Sequence, residues 1–262
     1  MPFNERFLMK LAIMRNVIVA IILRETKTRF GKNKLGYLWA IIEPCSYILI
    51  FLMIRSVVHM NIPFGENLFL FILSGLLVFR MFKSVTSRAL NAISANQALL
   101  TYPQVKPIDA ILARICLEVA TMLVVFFIFF LLLGILSNTS VIQYPDRFAV
   151  AILATVFLSF GVGIFNAVLA TLLPSWERLW GLFSLPMLIL SGIFYIPKSL
   201  PPSAQAILQW NPVLNCVEWM RFSIYLDYDP LLNRNYVIGF SLICILFGLL
   251  LDRYYRYYMV QQ

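Results

Sequence analysis

Charge is the scarcest property of this sequence. Only 13% of its 262 residues are Asp, Glu, Lys or Arg, whereas 61% are hydrophobic and the mean hydropathy is +0.84. A soluble domain carries about 25% charge, so these values exclude one and point to an integral membrane protein. Histidine is nearly missing: His59 stands alone, and no carboxylates fall at metal-site spacing, so no metal is expected. The cysteines Cys45, Cys116, Cys216 and Cys244 lie far apart in or beside apolar runs, without a CxxC pair, and are expected as free packed thiols. Gly31–Lys32–Asn33 lacks the upstream glycine and the hydroxyl residue of a phosphate-binding loop, and HExxH and a nucleophile elbow are absent. No catalytic residue is expected, with membrane transferases of weak signature left as the enzyme alternative. Acids within the apolar segments are two, Glu43 and Glu118, fewer than a proton-coupled carrier wants. The run Val17 to Leu23, ended by Arg24–Glu25, is too short for a cleavable signal.

The charge that is present is unevenly placed. The net charge is +9, and eight of the 21 Lys and Arg precede the first long apolar segment. A positive-inside bias accounts for this better than nucleic-acid binding, which is not expected. In the resulting topology the inner segments hold 16 Lys and Arg and the outer side holds 5. Six spans with both termini inside follow.

Residues 1–36 form the first region. From Arg15 to Phe30, Ile18, Ile21, Ile22 and Phe30 recur at roughly helical spacing beside Arg24, Lys27 and Thr28. An amphipathic helix in the inner interface is expected, its cations on anionic lipid headgroups, with a flexible basic tail as the alternative. Residues 37–262 form the membrane domain. The first span runs from about Gly36 to Val58, with Glu43 and Pro44 near its start and Arg55 near its far end. Glu43 is expected to pair with a base of the N-terminal helix, and a proton relay is the lesser alternative. Arg55 either snorkels to the outer interface or faces a polar cavity.

The second span is Leu68 to about Phe82, and a polar stretch follows from Lys83 to Ile108. Within it, Leu99–Leu100–Thr101–Tyr102–Pro103 is too apolar and the whole too long for a plain connection, and a short proline-broken helix that docks into a partner's groove fits better. The third span, Ala110 to Leu136, opens with Arg114 and Glu118 at i and i+4, expected as a local ion pair. Phe126, Phe127, Phe129 and Phe130 are expected in packing or lipid contact. The fourth span is Phe148 to Leu173, with Gly161 and Gly163 allowing close helix approach. The fifth is Leu179 to Ile196, with Pro186 and Gly192 able to kink it, and the sixth is Tyr236 to about Leu251.

Between the fifth and sixth spans come two short apolar runs, Ala204 to Trp210 and Val213 to Tyr225. Asn211–Pro212 is a good helix start, since Pro has no N–H to leave unpaired at the first helical position. Helices of about 10 to 14 residues cannot cross about 30 Å of hydrocarbon, so both read as re-entrant pieces that line or cover an opening.

Arg24–Glu25–Thr26–Lys27–Thr28–Arg29–Phe30, Leu35–Gly36–Tyr37–Leu38–Trp39 and Pro44 resemble the opening of ABC-2-type transporter membrane subunits. Ser191–Gly192–Ile193–Phe194–Tyr195, Leu200–Pro201, Asn211–Pro212 and Arg221 resemble their later motifs. Within that family the chain is most similar to the inner-membrane permease of Gram-negative capsular polysaccharide exporters, and less so to O-antigen and teichoic acid exporters. The resemblance implies an all-α half-transporter of the inner membrane. It would act as a homodimer with two copies of a cytoplasmic ABC ATPase, which would bind ATP and Mg, so that this chain carries no cofactor. It further implies a periplasmic co-polymerase, an outer-membrane channel and a lipid-linked acidic polysaccharide as substrate.

The resemblance also assigns three places. Residues 96–107 would couple to the ATPase, through Asn96, Gln97, Leu99, Leu100, Tyr102, Pro103 and Lys106. The N-terminal helix, with Arg24, Glu25, Lys27 and Arg29, would gate the inner interface, and residues 199–225 would gate the periplasmic side. A sugar chain needs aromatic faces and fixed cations: Tyr195, Trp210, Trp219 and Tyr225 are candidates for the first, Arg55 and Arg221 for the second. The same aromatics equally fit an outer interfacial belt. An exporter of a small hydrophobic compound shares most of these features.

Overall fold

A computed structural model describes residues 3–30, 42, 45–46, 49–50, 53, 64–65, 67–137 and 141–261. Most of the expected first span, Glu43 and Arg55 included, and the side chain of Arg29 lie outside the described residues. Ten α-helices are formed among those described. They are α1 (Phe3–Phe30), α2 (Leu68–Leu90), α3 (Ala92–Ala95), α4 (Gln97–Leu100), α5 (Pro107–Ser137), α6 (Pro145–Leu172), α7 (Trp176–Leu190), α8 (Pro202–Leu208), α9 (Pro212–Ile224) and α10 (Arg234–Gln261). A 3₁₀ turn, Pro197–Ser199, precedes α8.

Four of these, α2, α5, α6 and α10, are long and apolar enough to cross a membrane. Burial divides them. Most of α2 is buried, and Phe71, Ile72, Leu73, Leu76, Leu77 and Met81 are sealed around its whole circumference, which makes it the axis of the bundle. By contrast α5 leaves Val124, Phe127, Leu131, Leu132 and Leu136 exposed and turns Phe126, Phe129 and Phe130 inward. Helix α6 packs between α2 and α10. A Cβ on Gly161 would stand 2.6 Å from the Ser241 carbonyl of α10, so only glycine permits that approach.

Two elements depart from the expected bounds. Helix α2 continues to Leu90, eight residues beyond Phe82, so Lys83 to Arg88 are helical wall rather than linker. Helix α7 stops at Leu190, because Gly192 takes φ +69° and turns the chain back under α9. At 15 residues α7 is roughly 22 Å long, short of a full crossing on its own. None of its residues is buried, and Leu182, Phe183, Leu185 and Ile189 all face outward.

The N-terminal helix is longer than its expected Arg15–Phe30 but packs as its pattern requires. Ile21 is buried against Ala110 and Ala113 of α5, with Ile18 and Ile22 beside it, while Leu8, Met9 and Leu23 stay exposed. Helix α1 therefore lies on the bundle surface at the end where α2 gives way to α5; that end is called here the α1 end. Helices α8 and α9 cap the opposite end. The Asn211 side chain accepts from the Val213 and Leu214 amides at 3.0 and 3.4 Å, and Pro212 occupies the first turn, as the Asn–Pro start requires.

Candidate functional site

The charged side chains of this apolar bundle gather at its two ends. At the α1 end, Arg80, Lys83, Ser84, Ser87 and Arg88, with the C-cap Asn91, recur at i, i+3 and i+4 spacings, so the end of α2 presents them on one face. That face forms one wall of an open cavity of about 600 Å³. Arg114 of α5 and Glu177, Trp180 and Gly181 of α7 complete it. Four cations thus line one space in which Glu177 is the single lining acid. Glu177 is itself engaged, accepting from Asn91 Nδ2 at 3.0 Å.

Arg114 and Glu118, one helical turn apart, do not pair with each other. Arg114 Nε donates to Glu25 of α1 at 2.7 Å, and its Nη1 donates to the Asn91 carbonyl at 2.7 Å. Glu118 turns instead to α2, accepting from Ser84 Oγ and lying 3.9 Å from Arg88. The i,i+4 rule describes an isolated helix, and here both residues point into helix interfaces that supply nearer partners.

Glu25 and Arg24 also reach the segment between α2 and α5. Asn96, almost wholly buried between α3 and α4, donates from Nδ2 to Glu25 Oε1 at 2.8 Å and accepts from Arg24 at 3.3 Å. The expected coupling residues Leu99 and Leu100 pack inward, whereas Gln97, Tyr102, Pro103 and Lys106 are exposed. That segment is a single helical turn ending at Leu100, before Pro103, followed by bends to Pro107. Lys27 is exposed on α1. The structure thus joins the expected gate helix to the expected coupling segment, through Arg24, Glu25 and Asn96.

At the opposite end the central residue is Arg221, whose side chain is entirely buried. Its Nη1 donates to the carbonyls of Gly192 (2.7 Å) and Tyr195 (3.2 Å), its Nη2 to that of Ile193 (2.8 Å), and its guanidinium stacks 3.7 Å from the Phe71 ring. Glu218 Oε1 stands 3.4 Å away and accepts from Tyr228 Oη at 2.7 Å, while its Oε2 accepts from the Leu231 amide at 3.0 Å. One buried pair therefore fastens α9 to the turn after α7 on one side and to the loop before α10 on the other.

The expected substrate-path residues are dispersed around this fastening. Tyr195 contributes its carbonyl, and Tyr225 is half-buried against Phe64 and Phe71. Trp219 is buried on the face that meets Arg234, and Trp210 stands exposed at the α8–α9 turn, edge-on to Tyr236. Of these residues, Arg221 lines no open surface in this structure. The cavity cations Arg80, Lys83 and Arg88 are the functional candidates that the sequence expectation omits, and their helical spacing is the signal for them.

All four cysteines are free thiols. Among the described residues no cluster of His, Cys, Asp and Glu could hold a metal ion.

Comparison with known proteins places these features in context. The family model of ABC-2 type transporters matches residues 16–225. The chain is similar to the polysialic acid transport protein KpsM of Escherichia coli, 33% identical over 243 residues, 92% of this chain and 94% of that protein. It is also similar to the capsule polysaccharide export inner-membrane protein CtrC of Neisseria meningitidis serogroup B, 30% identical over 244 residues and 91% of each chain. The O-antigen export system permease protein RfbA of Klebsiella pneumoniae is more distant, 23% identical over 209 residues and 79% of each chain.

Proposed function

The chain belongs to the ABC-2 type transporter membrane family, and on that premise we propose that it is the membrane half of an ATP-driven exporter of lipid-linked acidic capsular polysaccharide. The relatives named for capsule export support the substrate class, and their role as transport permeases supports a function without catalysis in this chain. The observation that carries the proposal is the four-cation cavity at the α1 end, open and walled by α2, α5 and α7. Such a cavity suits an anion that stays attached to a lipid, because four Arg and Lys side chains line it beside apolar Leu90 and Trp180.

In this reading the α1 end faces the cytoplasm, as the excess of Lys and Arg there argues. Six spans arise from residues 36–58, α2, α5, α6, α7 with its continuation to Ile196, and α10. Residues 96–107 meet a cytoplasmic ATPase that binds ATP and Mg, and two copies of this chain form the transporter. Helices α8 and α9 cover the periplasmic exit, where a co-polymerase leading to an outer-membrane channel would receive the polymer.

The lipid-anchored, charged end of the substrate would enter at the cavity, and the sugar chain would follow past α9 once its fastening opens. Arg221, Tyr195 and Tyr225 would then act by holding the exit shut, while Trp210, exposed beside it, is free to stack on sugar rings. Arg55 is a further cation for the path.

The test is made in the host organism. Deleting the chain, or replacing Arg80 and Lys83 together by Gln, is expected to strip polysaccharide from the surface and accumulate it inside the cell. An unchanged coat in the deletion strain refutes capsule export; loss of polymer from both places refutes a transport role and favours a synthetic one.

A further inference from the structure

The cavity cation Arg114 is already occupied. Its Nε lies 2.7 Å from Glu25 Oε1, and both side chains are 17% exposed, so the pair stands at the cavity rim within reach of water and of a ligand. The arginine is fixed from a second direction: Nη1 donates to the Asn91 carbonyl at 2.7 Å and to that of Arg88 at 3.4 Å. The carboxylate therefore gives way when partners exchange, and the guanidinium stays in the wall.

The same carboxylate also accepts from Asn96 Nδ2 at 2.8 Å, and Asn96 is buried at the junction of α3 and α4. One oxygen of α1 thus touches both a cation of the cavity and the segment expected to meet the ATPase. Close to that contact, α1 packs on α5 by apolar surfaces, Ile21 on Ala110 and Ala113 with Val17, Ile18 and Ile22 beside it. A phosphate oxygen arriving among Arg80, Lys83, Arg88 and Arg114 meets the four cations of the cavity together. It outcompetes a single carboxylate, because charge-assisted bonds from several donors add at one anion.

We infer that Glu25 is a built-in competitor for the anion of this cavity, and that a phosphate-bearing headgroup displaces it from Arg114 and so unlatches α1 and Asn96. The inference rests on the reading of the cavity as the seat of the substrate's anionic end, and it adds the regulation of that seat. Ligand occupancy would thereby be reported to the gate helix and the coupling segment through a single exchange of ion-pair partners.

The test uses the purified full-length chain in neutral detergent. Binding of short-chain phosphatidylglycerol is measured by calorimetry, with glycerol phosphate as the free-phosphate arm and short-chain phosphatidylcholine as the zwitterionic control. Glu25→Gln keeps an acceptor for Asn96 and removes the competing charge, so phosphatidylglycerol is expected to bind roughly five- to tenfold tighter. Glu25→Asp, which retains the charge, is expected to stay near the parent, and Arg80→Gln to bind several-fold weaker.

A spin-label pair on Leu23 of α1 and Cys116 of α5 is expected to separate when phosphatidylglycerol is added. Tighter binding of glycerol phosphate in Glu25→Gln equally supports the competition and assigns recognition to the phosphate alone. Unchanged or weaker phosphatidylglycerol binding in Glu25→Gln, with Arg80→Gln still weakened, overturns the competition and spares the cavity reading. Binding that neither Arg80→Gln nor Lys83→Gln alters overturns both.

Discussion

The molecule has an arginine at the heart of each end, and the two are held in opposite ways. Arg221 is sealed, bonded to three backbone carbonyls, stacked on Phe71 and set against one buried acid. Arg114 is partly wet, and its acid comes from a helix that lies on the bundle surface. A guanidinium bonded to three carbonyls of one tight turn cannot leave without unmaking that turn, whereas one matched by a part-exposed carboxylate on a separate helix can change partners. The apolar bundle therefore carries a rigid fastening at one end and an exchangeable contact at the other. Breaking each in turn tests this difference.

The largest effect is expected from Arg221→Gln. It leaves Glu218 buried without its cation and frees three carbonyls, and removing one partner of a buried pair costs about 3–5 kcal/mol. The purified variant should unfold at markedly lower temperature in detergent, and a melting point near the parent's would show that the fastening is dispensable. Glu218→Gln should cost less, about 1–3 kcal/mol, because Arg221 keeps its three carbonyls while the Tyr228 and Leu231 donors meet a neutral acceptor. The order of the two is the informative part. Equal losses would mean that the ion pair, and not the carbonyl cluster, holds α9.

Gly192→Ala comes next, at about 1–2 kcal/mol for an L-residue forced into the left-handed region. The added Cβ would also stand 3.1 Å from Pro197 Cγ. Since Arg221 reaches the Gly192 and Ile193 carbonyls only when this turn is made, the variant should lower the melting point by loosening the same fastening. In combination with Arg221→Gln it should then lose less than the sum of the two. Simple additivity would place the glycine outside the network.

The sequence makes the local features legible and hides those that depend on neighbours. The Asn211–Pro212 start is legible because a cap and its first turn lie within four residues. The close approach at Gly161 is legible because a small residue in an apolar helix has few other uses. Arg114 and Glu118 mislead because their spacing suits a pair while their true partners lie 89 and 34 residues away. Lys83 to Arg88 suggest a linker because polarity inside a membrane protein resembles an exit from the membrane. Only the cavity that α5 and α7 close around them gives them another reason. Arg221 is recognisable as important but not as buried, since no sequence pattern reveals that three carbonyls of a distant turn converge on it.

The smallest effect sharpens the comparison by control. Lys198 pairs with Asp229 across the loops at the fastened end, but Asp229 is 80% exposed and Lys198 about a third. A solvated pair gains little, since water screens the attraction and holding two flexible side chains together costs entropy. Lys198→Ala should therefore shift the melting point by less than the equivalent of about 1 kcal/mol, and raising the salt should not separate it further from the parent. The Glu25–Arg114 pair is intermediate in exposure, so a double-mutant cycle there should fall between this pair and Glu218–Arg221. If the three coupling energies instead come out alike, burial is not what sets the two ends apart, and the distinction between fastening and exchangeable contact fails.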